Sequence, residues 1–435
     1  MSGGGDEEAM MRKPGSRTAL SLLLACLQLW ADLPAVNGSE AQDIAAAVEK
    51  RCVHAFFYLW YGTPEIDGQW QHWNHEVLPH WDASVRDRYP SGGVRYLPPH
   101  DVHSPFYPMR GCYSSRDANV TRAQLRELLA AGVGVVVLSW SGRPDIPGTH
   151  DTQGVSTDNI ILSVMDVAQQ EGMEVALHLE PYHGRTAETV SADLAYIADR
   201  FGSHPALHRT GVGKEGYGTA KSLPVVYVYD SYRISLRDWQ AILLPMRRAS
   251  VRNTPRDVFA IGLWLQQHHG QELAEAGFDG AYSYFASDGF TYGSSKLHWH
   301  SMAAVAASHN IIFVPSVGPG YDDSKIRPWN KAITQHRMGG RYYEDMWSSA
   351  VGAGAAVVSI TSYNEWGEGT QIEPAVPRTI VGSASTLPAP IRSELNLPQA
   401  YESYEPNDAY FYLNRTAHWS AFLGSRLPHS LSDEL

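Results

Sequence analysis

Eight mainly apolar runs recur along the chain after residue 50, and each is followed by a polar stretch and a segment with helical periodicity. The runs begin near Val53, Gly134, Glu174, Pro224, Val258, Gly280, Ile311 and Ala356. Runs that are apolar throughout, rather than alternating, predict parallel strands that are covered on both faces. Eight such units predict an α/β fold, a single (β/α)₈ TIM barrel with long βα loops, over residues 50–425. An open doubly wound sheet is the alternative.

Composition and motifs exclude several classes of partner and cofactor. No GxGxxG or GxxxxGK[ST] sequence follows the first run, so no nucleotide cofactor is indicated, and we expect no cofactor. A formal net charge of −12 argues against nucleic acid as a partner, because a phosphate backbone would be repelled. The chain has 13 Trp and 23 Tyr against 11 Phe. Rings with a polar edge suit a sugar, although packing of a barrel core explains the same composition.

Both ends of the chain carry targeting signals. Arg12, Lys13 and Arg17 precede a short apolar run over residues 19–30, which predicts a signal peptide or signal anchor over residues 1–38. The C-terminal tail, residues 426–435, ends in Ser432-Asp433-Glu434-Leu435, which is similar to the tetrapeptides read by a retention receptor, with Ser in place of the usual Lys or His. We therefore expect the lumen of the secretory pathway, in the Golgi or the endoplasmic reticulum.

Sequons and cysteines agree with a luminal location. N-glycosylation sequons occur at Asn37, Asn119 and Asn414. Of the three cysteines, one lies in the signal segment, and Cys52 and Cys112 remain. In an oxidising lumen these two allow one disulfide, with two thiols as the alternative.

Polar and aromatic residues follow the apolar runs, where a barrel gathers its loops around one pocket. These residues are Tyr61, Trp140, Glu180, Tyr182, Tyr229, Asp230 and Tyr284, with Asn364-Glu365-Trp366-Gly367-Glu368-Gly369 after the last run. Two carboxylates in one partly buried pocket acquire different pKa values. Acetal hydrolysis needs one protonated carboxyl group and one ionised carboxylate, so Glu365 and Glu368 predict a glycoside hydrolase. Two solvated glutamates on the first turn of a helix are the alternative.

Histidine spacing supports metal binding only weakly. His72, His75 and His80 are closely spaced, and His298 and His300 form an HxH pair. Barrel metallohydrolases place an HxH pair at the end of the first strand, whereas this pair falls in a predicted helix. We therefore predict no metal site.

Several long motifs resemble those of the endo-α-1,2-mannosidases of glycoside hydrolase family 99. They are Trp60-Tyr61-Gly62, His72-Trp73-Asn74-His75, Phe106-Tyr107-Pro108, Tyr113-Ser114-Ser115-Arg116-Asp117, Glu180-Pro181-Tyr182, Tyr227-Val228-Tyr229-Asp230-Ser231-Tyr232, Gly277-Phe278-Asp279-Gly280, Gly289-Phe290-Thr291-Tyr292-Gly293-Ser294-Ser295, Pro315-Ser316-Val317-Gly318-Pro319-Gly320-Tyr321, Asn364-Glu365-Trp366 and Glu368-Gly369-Thr370-Gln371-Ile372-Glu373. The resemblance runs in one order from about Phe56 to Pro377.

This resemblance implies a retaining endo-α-1,2-mannosidase that acts on glucosylated high-mannose N-glycans without a protein nucleophile. The residue matching Glu365 would deprotonate the sugar's own 2-hydroxyl to form a 1,2-anhydro sugar, and the residue matching Glu368 would act as acid and then as base. The residues that would line the sugar site are Asn364, Tyr284, Glu180, Trp140 and Tyr61, with Tyr182, Tyr229 and Asp230 beside them.

Two departures from the family pattern bear on specificity. Gly367 stands where the family commonly has a bulky histidine, and Ser141 and Gly142 stand where it has an aromatic residue after Trp140. The second change removes a stacking surface and leaves open whether glucose or mannose is preferred there. A catalytically inactive, mannose-binding, lectin-like barrel is the alternative from a different functional class.

Overall fold

A computed structural model describes residues 51–89, 92–210, 222–380 and 400–426, which belong to one compact unit, Ala47–Leu435. In these ranges eight parallel strands alternate with eight principal helices. The strands are β1 (Val53–Phe57), β2 (Val135–Trp140), β3 (Glu174–Leu179), β4 (Leu223–Val228), β5 (Phe259–Leu263), β6 (Gly280–Tyr282), β7 (Ile312–Val314 and Ser316–Val317, separated by Pro315) and β8 (Val358–Ile360). The helices are α1 (Ala118–Ala130), α2 (Asp158–Glu171), α3 (Ala187–Arg200), α4 (Leu236–Leu243), α5 (His269–Ala276), α6 (Trp299–Ser308), α7 (Arg341–Gly352) and α8 (Phe411–Gly424).

The strands close into a ring. β1 pairs in parallel with β2 and with β8, and the pairing continues in order from β2 to β7. The first half of β7 pairs with β6, whereas its second half pairs with β8, where Ser316 lies opposite Ser359. Pro315 separates the halves and has no N–H to donate to a neighbouring strand. The predicted single barrel is confirmed, and the doubly wound alternative is wrong.

The strands are buried on both faces, as their unbroken apolar sequences predict. All six residues of β2 are buried, and the helices turn an apolar side toward the sheet. Local sequence sets the helix ends: the Asp117 side chain caps α1 by accepting from the Asn119 N–H, and Gly172 ends α2 in the left-handed conformation at φ 77°.

The barrel interior contains hydrogen-bonded rings as well as aliphatic side chains. His54 Nδ1 lies 2.8 Å from the Tyr227 hydroxyl, and His178 Nε2 lies 2.7 Å from the Tyr282 hydroxyl. Phe56 packs against His178 and both tyrosines. These pairs satisfy polar atoms that would otherwise be costly to bury. Part of the high tyrosine count is therefore core packing, which was one of the two explanations for the composition.

The long segment after β1 covers the rim at the carboxyl ends of the strands. It contains short helices at Pro64–Asp67 and Ala83–Arg86, and its strand Tyr107–Pro108 pairs antiparallel with Ala375–Val376, beyond β8. The Trp73 indole N–H donates to the Tyr113 carbonyl at 2.7 Å, which ties the segment together internally. The first and last βα loops are thus joined above the barrel.

The cysteine and targeting predictions have different outcomes. Cys52 and Cys112 are both thiols, so the predicted disulfide is not formed. Burial raises the pKa of the Cys112 thiol to about 12.

Two of the predicted sequons lie on the surface, since Asn119 is exposed on α1 and Asn414 is exposed on α8. Residues 1–38 with Asn37, and the tail from 427 with Ser432 to Leu435, lie outside the described residues. In the part of the chain that the structure describes, no helix has both the length and the apolar character to cross a bilayer.

Candidate active site

Glu365 and Glu368 lie in the tight turn that follows β8. The Glu365 N–H donates to Ser362 Oγ at 2.8 Å, and the Gly367 N–H donates to Glu365 Oε1 at 3.1 Å. Glu365 Oε2 is buried and has no hydrogen-bond partner among the described residues. The turn therefore fixes one oxygen of the Glu365 carboxyl group and leaves the other available to a ligand.

The two carboxyl groups have unequal surroundings. Burial raises the pKa of Glu365 well above its ordinary value, and the charge of Glu368 raises it further. Burial also raises the pKa of Glu368, but the Arg327 guanidinium opposes this, with its Nη1 3.5 Å from Glu368 Oε1. Two interacting carboxylates lose their protons in separate steps. The two carboxyl groups therefore differ in proton affinity: burial and the neighbouring carboxylate favour the protonated form of Glu365, and Arg327 favours the ionised form of Glu368.

Arg327 and Asp323 are functional candidates that the sequence did not reveal. They come from the loop after β7, where Arg327 Nη1 also donates to Asp323 Oδ2 at 2.9 Å. Asp323 is 1% exposed and accepts a second hydrogen bond from Asn330. The Glu pair has no basic residue close to it in sequence, so only the closure of the barrel between β7 and β8 brings this cation to it. No pattern in the chain marks Arg327 for this position.

An aromatic and acidic wall faces Glu368. The charge of Glu368 contributes to the raised pKa of Tyr229 and of Tyr284. The charge of Glu180 contributes in turn to the raised pKa of Glu368. Tyr229 and Tyr284 pack edge to face, with ring centroids 4.8 Å apart. Glu180 accepts from Ser139 Oγ at 2.9 Å. Three of the residues predicted at the strand ends are thus within electrostatic range of Glu368, as are Tyr58 and Tyr321.

Tyr284 adopts a backbone conformation that is rare for a tyrosine. Its φ is 55°, directly beyond the end of β6, and its hydroxyl hydrogen-bonds the Tyr58 hydroxyl. The Tyr284 N–H donates to Ser316 Oγ at 2.7 Å, so β7 holds the strained residue in place. Left-handed backbone at a non-glycine residue costs free energy and persists where surrounding contacts impose it, as at binding sites.

Two other predicted sugar-site residues lie beneath the turn. The Asn364 side chain is 0% exposed; it accepts from the Tyr58 N–H at 2.8 Å and donates to the Tyr58 carbonyl at 2.9 Å. The Tyr61 hydroxyl donates to the Asn364 carbonyl at 2.8 Å and accepts from the Trp366 N–H at 3.2 Å. Both residues hold the last loop against the first, and the structure does not place them on an open sugar-binding surface.

The remaining predicted residues lie away from the Glu pair. Trp140 is 1% exposed and donates to Asp158 of α2, so it packs in the helical layer. The Tyr182 hydroxyl donates to Asp193 of α3. Asp230 pairs with Arg233 at 2.8 Å and has a φ of 50° just past β4. The structure does not bring these three side chains into contact with Glu365 or Glu368.

Gly142, in the loop after β2, is required by the local backbone. Gly142 has a φ of 108°, and a Cβ there would lie 2.9 Å from Thr149 Cγ2 and 3.2 Å from Tyr182 Cδ1. A larger residue would clash with both neighbours. The missing stacking surface is therefore part of how the loop after β2 folds in this chain.

The histidines singled out for metal binding do not assemble a common site. His298 precedes the first turn of α6 and His300 lies within it, as predicted, while His72 Nε2 lies 2.6 Å from Asp151 Oδ2. Within the described ranges, a group with metal-ligand geometry comprises His268, His269 and Glu272, near the start of α5. One ring nitrogen of His269 already accepts the Leu265 N–H at 3.2 Å.

Comparisons with known proteins agree with this geometry. A family model described as glycosyl hydrolase family 99 matches residues 48–424. The glycoprotein endo-alpha-1,2-mannosidase of Rattus norvegicus is 40% identical over 386 residues, which are 88% of this chain and 77% of that protein. The glycoprotein endo-alpha-1,2-mannosidase-like protein of Mus musculus is 43% identical over 368 residues, 85% and 75% of the two chains. A GH99 endo-alpha-mannosidase from Bacteroides thetaiotaomicron superposes with a TM-score of 0.74 and 36% identity, covering 87% of this chain and 99% of that one.

Proposed function

Because the chain belongs to glycosyl hydrolase family 99 and is a glycoside hydrolase, we propose that it is a retaining endo-α-1,2-mannosidase that cleaves an internal linkage of glucosylated high-mannose N-glycans. The observation that carries the proposal is the pair itself: buried Glu365 and half-buried Glu368 share one turn, both have a raised pKa, and the Arg327 guanidinium lies 3.5 Å from Glu368. Such a pair can donate one proton and accept another within a single reaction.

In the first step the substrate supplies its own nucleophile. Glu365 removes the proton from the 2-hydroxyl of the mannose whose anomeric bond is cleaved, and O2 attacks C1. The bond from C1 to the leaving oxygen breaks, its electron pair stays on that oxygen, and Glu368 protonates it. The product is a 1,2-anhydro sugar with inverted configuration at C1.

In the second step Glu368, now a carboxylate, removes a proton from water, and the water oxygen attacks C1. The bond from C1 to O2 breaks, and O2 recovers a proton from Glu365. This second inversion restores the original configuration, so the net result is hydrolysis with retention. Both carboxyl groups return to their starting protonation states.

Substrate binding prepares the pair for this sequence. A 2-hydroxyl that donates to the unpartnered Glu365 Oε2 stabilises the ionised form of Glu365, and a leaving oxygen that accepts from Glu368 stabilises its protonated form. Glycan binding therefore favours ionised Glu365 and protonated Glu368, which is the state that the first step requires. We assign Tyr284, Tyr229 and Glu180 to the sugar site because each interacts electrostatically with Glu368.

We assign Asn364 and Tyr61 a positioning role, since both are buried and hold the turn that carries the pair. The N-glycan substrate and the sequons at Asn119 and Asn414 favour the secretory lumen, in the Golgi or the endoplasmic reticulum. Retention there would be read by a receptor from the C-terminal tail. No metal or other cofactor takes part in the proposed reaction.

The test is product analysis on a Glc-α-1,3-Man-α-1,2-Man substrate. The wild-type protein should release the glucosylated mannose disaccharide, identified by mass spectrometry, and Glu365→Gln should release none. A chelator should leave the wild-type rate unchanged. Saturable binding of the trisaccharide without release by the wild type would instead support a lectin-like barrel. Release of free glucose would show that the bond cleaved is not the internal one.

A further inference from the structure

Gly367, between the two glutamates, is required by space and not by backbone conformation. Its φ lies outside the left-handed region. A Cβ at this position would lie 2.5 Å from Ile326 Cδ1, 2.9 Å from His103 Cδ2 and 3.0 Å from Glu365 Oε1. Close-packed interiors do not accommodate such distances. A larger residue at 367 therefore has no room, because Ile326, His103 and Glu365 already fill the space.

His103 is one of those side chains and reaches the site from the long segment after β1. It is 1% exposed, and its ring stacks on His75 with centroids 5.7 Å apart and planes at 21°. Tyr61 and Trp73 contribute two further rings, at 6.4 and 6.1 Å. Three aromatic neighbours thus hold the imidazole with one carbon, Cδ2, facing Gly367.

The contact with Gly367 bears directly on Glu365. The Gly367 N–H donates to Glu365 Oε1 at 3.1 Å, and this bond helps to lower the pKa of Glu365 against the effect of burial. If the space occupied by His103 were empty, the turn could relax into it and lengthen that bond. Burial, followed by the charges of His75 and His72, lowers the pKa of His103, so the ring is neutral and adds no positive charge beside the carboxylates.

We propose that His103 is a positioning residue for the reaction: from the first βα loop its imidazole packs against Gly367, the residue between the two glutamates. Its ring holds the turn over residues 364–369, so that Glu365 keeps its hydrogen bond from Gly367. This inference rests on the function proposed above, because it assumes that Glu365 is the base.

A reciprocal exchange tests the inference. His103→Gly should lower kcat about tenfold or more with KM within about threefold of wild type, since small displacements of a catalytic group are costly. The acid limb of its kcat/KM profile should move to higher pH, because the Gly367 hydrogen bond that favours ionised Glu365 is weakened. The single variant Gly367→His should also be impaired, because its side chain meets His103. In the double variant His103→Gly/Gly367→His, the new imidazole occupies the space that His103 leaves and only the flexible end of Ile326 must shift, so kcat should recover to within about threefold with the acid limb restored.

Two controls separate positioning from general damage. Thermal unfolding of each variant shows which are folded, and His309→Gly, an exposed residue just after α6, should leave both the rate and the pH profile unchanged. If His103→Gly is poorly folded, His103→Asn, which keeps a polar planar group, should show the same pH shift to a smaller extent. The inference is overturned if a folded His103 variant keeps the wild-type kcat and acid limb, or if a folded double variant stays as impaired as the single ones. A wild-type protein that cleaves no α-1,2-mannoside would overturn the proposed function and this inference with it.

Discussion

Removal of the charge of Arg327 should shift the whole pH profile of the reaction to higher pH. The guanidinium lies 3.5 Å from Glu368 Oε1 and lowers the pKa of both glutamates. Activity requires one proton on the pair, so the acid limb reports uptake of a second proton and the alkaline limb reports loss of the last one. Because a positive charge favours the ionised carboxylates, the variant Arg327→Met raises both apparent pKa values.

The size of the shift follows from the distance. Two unit charges 3.5 Å apart interact by about 1.2 kcal/mol with water-like screening and by about 4.7 kcal/mol at an effective dielectric constant of about 20. The Arg327 side chain is 34% exposed and also binds Asp323, so we use the lower figure. It corresponds to an upward shift of about 0.9 pH units in the limb that reports Glu368, and the limb that reports Glu365 moves in the same direction.

The assay is kcat/KM against pH on the trisaccharide, with two matched variants. Arg327→Lys keeps the charge and should stay near the wild-type profile, with a lower rate because the geometry changes. Asp323→Asn should move the profile toward lower pH, since the Asp323 charge raises the pKa of Glu368. A folded Arg327→Met protein with an unchanged or downward-shifted profile would refute the electrostatic reasoning.

Three further perturbations have defined outcomes. Gly142→Ala should destabilise the fold by about 1–3 kcal/mol in urea unfolding, because its φ is 108° and its Cβ would meet Thr149; wild-type stability would show that the loop adapts. Asn364→Ala leaves the N–H and the carbonyl of Tyr58 without partners and should cost about 3 kcal/mol in the same assay, against less than about 1 kcal/mol if water replaces the amide. Glu368→Gln should lose the trisaccharide activity but still release, in a burst of about one equivalent per active site, an activated leaving group that needs no proton, because only the second step then lacks its base; a folded variant with no burst would argue against its acid role.

The barrel could be predicted from the sequence because each strand is buried on both faces. Strands buried on both faces are apolar throughout, and this pattern distinguishes them from strands with one face exposed to solvent. The runs near Val53 and Glu174 begin within one residue of β1 and β3. The division of β7 at Pro315 could not be predicted from the sequence, because the exchange of pairing partners there depends on where the ring of strands closes.

The site was predictable only in part, since a strand-end position does not say which way a side chain points. Glu365, Glu180, Tyr229 and Tyr284 each lie within electrostatic range of Glu368. Residues with the same local pattern point elsewhere: Trp140 faces α2, and Asn364 faces the backbone of β1's loop. These outcomes depend on contacts between segments far apart in the chain.

Arg327 and His103 are the clearest examples of site residues that could not be predicted from the sequence. Neither belongs to a motif that marks it for catalysis, and their importance comes from proximity to Glu368 and Gly367, which lie 41 and 264 positions further along the chain. The disulfide prediction failed for a related reason. An oxidising compartment allows a bond between Cys52 and Cys112 only if the fold brings the two sulfurs together.

The most direct measurement is the configuration of the first sugar released. Proton NMR during hydrolysis of the trisaccharide should show the α-anomer of the disaccharide before mutarotation, with no product from Glu365→Gln. A β-anomer as the first product would mean a single inversion at C1, and it would contradict a mechanism in which the sugar's own 2-hydroxyl attacks first.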